Sequence, residues 1–295
     1  MGEGVPRVQY LQYVVFGLVT GTILLLCTVG FSMIRRVDNF LNIAHGQMVA
    51  LGAYLGYLFY AMIGLPLVVA SVLAIASTAV LGWASHRIVF NPIRGHGPLY
   101  LLFTSVGLAY VIHGSLEAIF GTRPKAFILP EPRFFSIAGE PLVSTVEIFI
   151  IVVAIVSAVA LHLFLTRTRA GMAVRAMSSE YDLARVRGIN TSRVAALVWI
   201  LASGLAGLAG ILMGIQGTVY TDMGWAIILV ILSAAVLGGL GSIYGVMVGA
   251  MLIGLSMDLS VIWLPPAYRS AVAFMVIMLV LVVRPQGIFG GVSRG

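Results

Sequence analysis

The chain has 295 residues, of which 60% are hydrophobic and only 9% charged, with a net charge of +7. A soluble domain carries about 25% charged residues, and the mean hydropathy of +1.08 excludes that class. Cys27 is the single cysteine, which excludes an intrachain disulfide, and the positive charge reads as arginines on the inner side of a membrane protein rather than as a nucleic-acid surface.

The first thirteen residues lack a basic segment ahead of a short apolar run, so no cleaved signal peptide is expected. A membrane-spanning helix needs about 20 apolar residues. Nine stretches come near that length: Tyr13–Ile34, Phe40–Ile63, Leu65–Val89, Leu99–Phe120, Val143–Leu165, Val194–Gln216, Trp225–Leu240, Ile243–Leu264 and Ser270–Val283. The expected fold is an all-α polytopic bundle of about nine spans. It has eight if one of the two short stretches, the seventh or the ninth, is re-entrant. Spans use nearly all the length, so residues 1–295 form one transmembrane domain.

With nine spans, one side holds Arg35, Arg36, Arg87, Arg94, Arg167, Arg169, Arg175, Arg185, Arg187, Arg193, Arg284 and Arg294. The other holds only Arg7, Arg123, Lys125, Arg133 and Arg269. The positive-inside rule then puts the N-terminus outside and the C-terminus in the cytoplasm.

The second stretch contains the most unusual segment. Residues 39–54 read NFLNIAHGQMVALGAY. Asn42, His45 and Gln47 are costly in hydrocarbon unless they face protein or water, and Gly46 permits a bend or a close approach. The segment suits a transport pathway entered at a broken helix. It equally suits a tight helix contact held by amide and imidazole hydrogen bonds. In the fourth stretch, His113 and Glu117 are four residues apart, with Tyr110 on the same face. They suit a substrate contact, a self-satisfied pair or a proton relay.

Two loops are long. The outer loop, residues 121–142, is rich in proline and carries Phe134 and Phe135; it suits a cap, a partner contact or the membrane interface. The inner loop, residues 166–193, reads TRTRAGMAVRAMSSEYDLARVRGINTSR. Ser179 to Asp182 fits a capping box, and Gly188 fits a helix stop, so a helix of about two turns is expected between them. Tyr181, Leu183, Ala184 and Val186 give it an apolar side, for docking on a protein or resting on anionic lipid.

Toward the end, residues 238–250 read GGLGSIYGVMVGA, and Gly241, Gly245 and Gly249 recur at the spacing of a close helix contact. Lys125 is the only lysine and follows no glycine, so the chain has no phosphate-binding loop for ATP. No metal-ligand motif or nucleophile elbow is present, and an intramembrane enzyme is disfavoured.

Three motifs match one family. They are Asn42-Ile43-Ala44-His45-Gly46 with Gly52-Ala53-Tyr54, then Gly238-Gly239-Leu240-Gly241-Ser242-Ile243 with Gly245, then Arg284-Pro285-Gln286-Gly287-Ile288-Phe289-Gly290. On them the chain resembles the LivH-type permease subunit of bacterial ABC importers for branched-chain amino acids. It departs at Ile43, often Phe in the family, and at Gln47, often Glu. Glu180, Ala184 and Gly188 loosely resemble the coupling motif of importer permeases.

The resemblance implies a non-enzymatic transport subunit of a bacterial inner membrane that moves branched-chain amino acids or related small polar solutes inward. Its implied partners are a second permease subunit, two cytosolic ATP-binding subunits and an external solute-binding protein, besides membrane lipid. ATP and magnesium would belong to those partners, with no cofactor in this chain. Asn42, His45, Gly46, Gln47, Tyr110, His113 and Glu117 are the expected pathway residues. Glu180, Tyr181, Leu183, Ala184 and Gly188 are the expected coupling residues. Urea, amides or organic acids are alternative cargoes, and a proton-coupled secondary transporter is the alternative class.

Overall fold

The computed structural model describes residues 7–137, 140–284 and 286–289; parts of the last glycine-rich motif, Pro285 and Gly290, lie outside them. The chain is a bundle of helices with two small two-stranded ladders. In order come α1 (Arg7–Asp38), α2 (Ala44–Tyr57), α3 (Leu67–Ser85), the short α4 (Asn91–Ile93), α5 (Pro98–Phe120), strands β1 (Lys125–Ala126), β2 (Phe134–Ile137) and β3 (Glu140–Ser144), and α6 (Thr145–Arg167). Then follow α7 (Arg169–Ser179), α8 (Tyr181–Val186), α9 (Thr191–Gln216), β4 (Thr218–Val219), α10 (Met223–Gly238), α11 (Ile243–Leu259) and α12 (Arg269–Val283). β1 pairs with β4 and β2 with β3, both antiparallel, and these ladders mark one end of the bundle. The opposite end is rich in arginine.

Seven helical stretches are long and apolar enough to cross a membrane: Tyr10–Asp38, Leu67–His96, Pro98–Phe120, Thr145–Arg167, Thr191–Gln216, Ile243–Ile262 and Pro266–Val283. Seven of the nine expected stretches meet that measure, and the second and seventh do not. α10 has only 16 residues. α2 has 14 and continues into a wider turn over Leu58–Met62, and its first turn carries His45 and Gln47.

The reason α2 is short lies before it. Asn39 has φ 54°, a left-handed conformation that asparagine tolerates, and it stops α1 while accepting a hydrogen bond from the Arg35 guanidinium. Residues 39–43 then turn back into the bundle without helical structure. The amide of Ile43 donates to Ser105 Oγ at 3.1 Å, in the first third of α5. α10 starts from the other side at a comparable depth. Trp225 stacks at 4.9 Å on Tyr110, at the middle of α5. Two helices therefore begin inside the layer that α5 crosses, entered from opposite ends.

The enclosed helices are α1, α2, α9 and α10; α3, α5, α6 and α12 turn much of their apolar surface outward. Small residues allow the closest crossings. A methyl group on Gly52 would lie 2.4 Å from Gly207 Cα, and one on Gly210 would lie 1.9 Å from the Val49 carbonyl oxygen, so α2 and α9 touch backbone to backbone.

The loop after α6 holds two helices, not one. Ser179 closes α7 instead of capping α8, whose cap position is Glu180 without a side-chain bond. The capping box stands at Ser144 and Glu147, where hydroxyl and carboxylate exchange bonds of 3.2 and 2.7 Å with backbone amides. Gly188, at φ 82°, ends the α8 turn.

Candidate functional site

Four groups of polar residues gather along the bundle axis. The first is the start of α2. His45 is wholly buried; its Nε2 donates to the Cys27 carbonyl of α1 at 3.0 Å, and its ring meets Phe31 edge-on. Asn42 and Gln47 are also buried, and neither amide has a hydrogen-bond partner. The chain does not bend at Gly46. That glycine lies within α2 and allows contact with α10, since a methyl there would fall 2.3 Å from the Gly224 carbonyl oxygen. The Gln47 carboxamide in turn lies against Gly224. The first turns of two helices thus meet around unpartnered amides.

The second group lies further along α5, toward the ladder end. His113 Nδ1 donates to the Thr221 carbonyl at 3.3 Å, which leaves Nε2 facing Glu117 at 3.7 Å and Asp222 at 3.8 Å. Tyr110 is largely exposed and stacks on Trp225. Sequence spacing found Tyr110, His113 and Glu117. It missed Asp222, at the N-cap of α10, and Trp225, in the first turn of α10.

The third group sits at the arginine-rich end, and of its members only Tyr181 was singled out from the sequence. Asp38 is buried; it accepts a hydrogen bond from Trp199 Nε1 at 2.6 Å and forms an ion pair with Arg94 at 2.6 Å. Arg94 also donates to the Val37 carbonyl, and its guanidinium lies 5.2 Å from the centre of the Tyr181 ring. Tyr181 opens α8 and donates to Thr191 at 3.3 Å. One contact chain therefore runs from α8 through Arg94 to α1 and α9. Val37, Asp38, Arg94 and Tyr181 border a cavity of about 810 Å³ that also touches Arg35, Arg36, Leu101 and Leu240.

The remaining loop residues divide by exposure. Ala184 packs into the bundle core, whereas Leu183 is 51% and Val186 83% exposed. Glu180 and Gly188 are exposed at the two ends of α8. The outward apolar side of α8 is thus Leu183 with Val186, and Ala184 belongs to the opposite side. The fourth group, Asp258 with Arg269, joins α11 to α12. Among the described residues no cluster of three or more His, Cys, Asp or Glu is placed to hold a metal ion.

A family model described as "Branched-chain amino acid transport system / permease component" matches residues 13–281. The chain is 31% identical to the high-affinity branched-chain amino acid transport system permease protein BraD of Pseudomonas aeruginosa, over 96% of each chain. It is 30% identical to the permease protein LivH of Escherichia coli, over 95% of this chain and 96% of the relative. A probable LivH of Methanocaldococcus jannaschii is 25% identical over 92% of this chain and 90% of its own length. No solved structure matches the chain.

Proposed function

This chain belongs to the permease family of branched-chain amino acid transport systems, and from that premise we propose that it forms half of an inward pathway driven by separate ATPases. The pathway runs beside α5 and α10 to the meeting point of α2 and α10. The observation that carries this reading is the polar cluster on the outward face of α5. Tyr110, His113 and Glu117, with Asp222 beside them, lie in a helix whose other polar side chains are only Tyr100, Thr104, Ser105 and Ser115. Lipid against such a face is unfavourable, and a second permease subunit enclosing a wet path is the favourable alternative. Asn42, His45 and Gln47 then form the closed point of the path, where two helix starts abut and separation would uncover unpartnered amides.

The arginine-rich end is the cytoplasmic one in this reading, with the N-terminus outside, in the inner membrane of a bacterial cell. α2 and α10 complete nine membrane-embedded segments. Cysteines introduced singly at Ser179 and Ala126 in a Cys27-free chain test the orientation. An impermeant thiol reagent added outside intact cells is expected to label position 126 and spare 179; the reverse pattern would invert the bundle.

Coupling is assigned to α8. A helix this short is unstable alone, and it is held from below by Tyr181 and Ala184 while Leu183 and Val186 remain free for a groove in a cytosolic ATPase. Glu180 and Gly188 set its two ends. Replacing both Leu183 and Val186 with aspartate is expected to lower transport per assembled complex about tenfold or more, as losing a central apolar anchor does, while the α8 fold persists. Unchanged ATP-driven transport by that variant would mean that α8 only rests on lipid.

The complete assembly in this proposal has a second permease subunit, two ATP-binding subunits and an external solute-binding protein. The test is reconstitution of that assembly in proteoliposomes with labelled leucine, isoleucine and valine. ATP-dependent uptake supports the reading. Uptake that needs no ATP and collapses with the proton gradient would favour the relay suggested by His113 between two carboxylates.

A further inference from the structure

The fourth polar group has no place in the path just described. A cavity of about 640 Å³ lies near the ladder end, between α1, α10, α11 and the start of α12. That volume falls in the roughly 300–1,000 Å³ range of small-molecule sites. One side is apolar, formed by Leu24, Ile227, Val230 and Met257. The other carries Asp258 and Arg269, which pair with each other, and Arg269 also donates to Thr20 at 3.4 Å.

The pair is incompletely used. Asp258 is 4% exposed, and its Oδ2 accepts no hydrogen bond. The Nε of Arg269 is enclosed and donates to nothing. Keeping the Asp258 carboxylate out of water with an unused oxygen is costly, and a pair serving only to tie α11 to α12 gains nothing from it, while the Arg269 side chain is partly exposed and within reach of a ligand. Glu147 also borders the cavity, but its carboxylate is engaged by the Ser144 amide at the start of α6.

We propose that this cavity is a subsite for a zwitterionic α-amino acid with an aliphatic side chain. The Arg269 guanidinium takes the carboxylate, Asp258 takes the ammonium, and the wall of Leu24, Ile227, Val230 and Met257 takes the side chain. A zwitterion suits the site because both partners exchange one opposite charge for another. No net charge is added to a low-dielectric cavity, with or without the ligand. The wall supplies the preference for apolar side chains, and the charged pair supplies the preference for free amino acids over amides or organic acids. The inference rests on the amino-acid permease reading and adds a place to it.

The test uses the whole importer with its binding protein in proteoliposomes, and three labelled substrates: leucine, isoleucine and valine. Asp258→Asn and Arg269→Gln are each expected to lower uptake about ten- to a hundredfold at equal assembly, the loss of a charge-assisted contact. The decisive variant exchanges the two residues, Asp258→Arg with Arg269→Asp. It restores an ion pair and complex yield, and uptake is expected to stay low because the charges are presented in reversed positions. Uptake restored with the pair would show a purely structural bridge and overturn the proposal. Should the charge variants fail to assemble, Val230→Phe still decides, because it shortens the apolar wall. Uptake is expected to shift toward valine over leucine, and an unchanged ratio would overturn the proposal. If the unmodified importer moves none of the three substrates, the amino-acid permease reading fails, whatever the variants do.

Discussion

Replacing Asp38 with alanine is expected to cost about 3–5 kcal/mol of stability, the usual penalty for removing one partner of a buried charge pair. Trp199 Nε1, which is buried, would lose its acceptor, and the partly exposed Arg94 its counter-charge. The measurement is the lifetime of the detergent-purified complex on warming, alongside Trp199 fluorescence. Asp38→Asn, which keeps an acceptor for the indole, should lose less. The double variant Asp38→Ala with Arg94→Leu should recover part of the loss, because no unpaired guanidinium remains. A wild-type lifetime for Asp38→Ala would show that the node at the arginine-rich end contributes nothing. Because Arg94 also touches Tyr181, the surviving fraction of Asp38→Ala complex is expected to show weakened coupling of ATP hydrolysis to uptake as well.

A valine at Gly210 is expected to abolish assembly. Ordinary overpacking costs about 1–3 kcal/mol and is relieved by side-chain movement. Here even the first carbon would fall 1.9 Å from a backbone oxygen of α2, so relief requires the helices to part. Parting them would also disturb the abutment of Gly46 and Gln47 on Gly224. The control is Gly107→Ala in α5, where the added methyl meets nothing within 4 Å and helix propensity favours alanine. Membrane-extracted yield, compared by immunoblot and gel filtration, separates the two. Normal assembly of Gly210→Val would mean that α2 and α9 do not touch as described.

The helical class, the apolar stretches and the unusual start of α2 were legible because hydropathy and isolated polar residues are local properties of a sequence. The depth at which α2 starts was not, since it depends on Ser105 meeting Ile43 from 62 positions away. Nothing local marks Asp38; only the fold brings Trp199 to it across 161 positions. α7 was overlooked although Gly171, Val174 and Met177 repeat at helical spacing and are buried. Ser179 and Asp182 have the spacing of a capping box, but Ser179 is already helical as the last residue of α7. Ala184 was assigned to the outward face of α8 because six residues are too few for periodicity to tell two sides apart. His113 and Glu117 were visible as a pair four residues apart on one helix, but Asp222, the third member, comes from a loop.

The backbone contact between α2 and α9 also bears on how the protein is made. α2 leaves the ribosome long before α9, and it is too polar at its start to enter lipid with the ease of α1 or α3. Until Gly207 and Gly210 arrive, the Gly52 side of α2 has no wall to rest on. The nascent chain therefore carries an unfinished segment through the synthesis of α3 to α8, held by α3 and α5 and by the His45 bond to α1. Completion of α9 supplies that wall and α10 then closes on Gly46 and Gln47, so truncations ending before Gln216 should leave α2 accessible to proteases or membrane quality control, and those ending after Gly238 should protect α2.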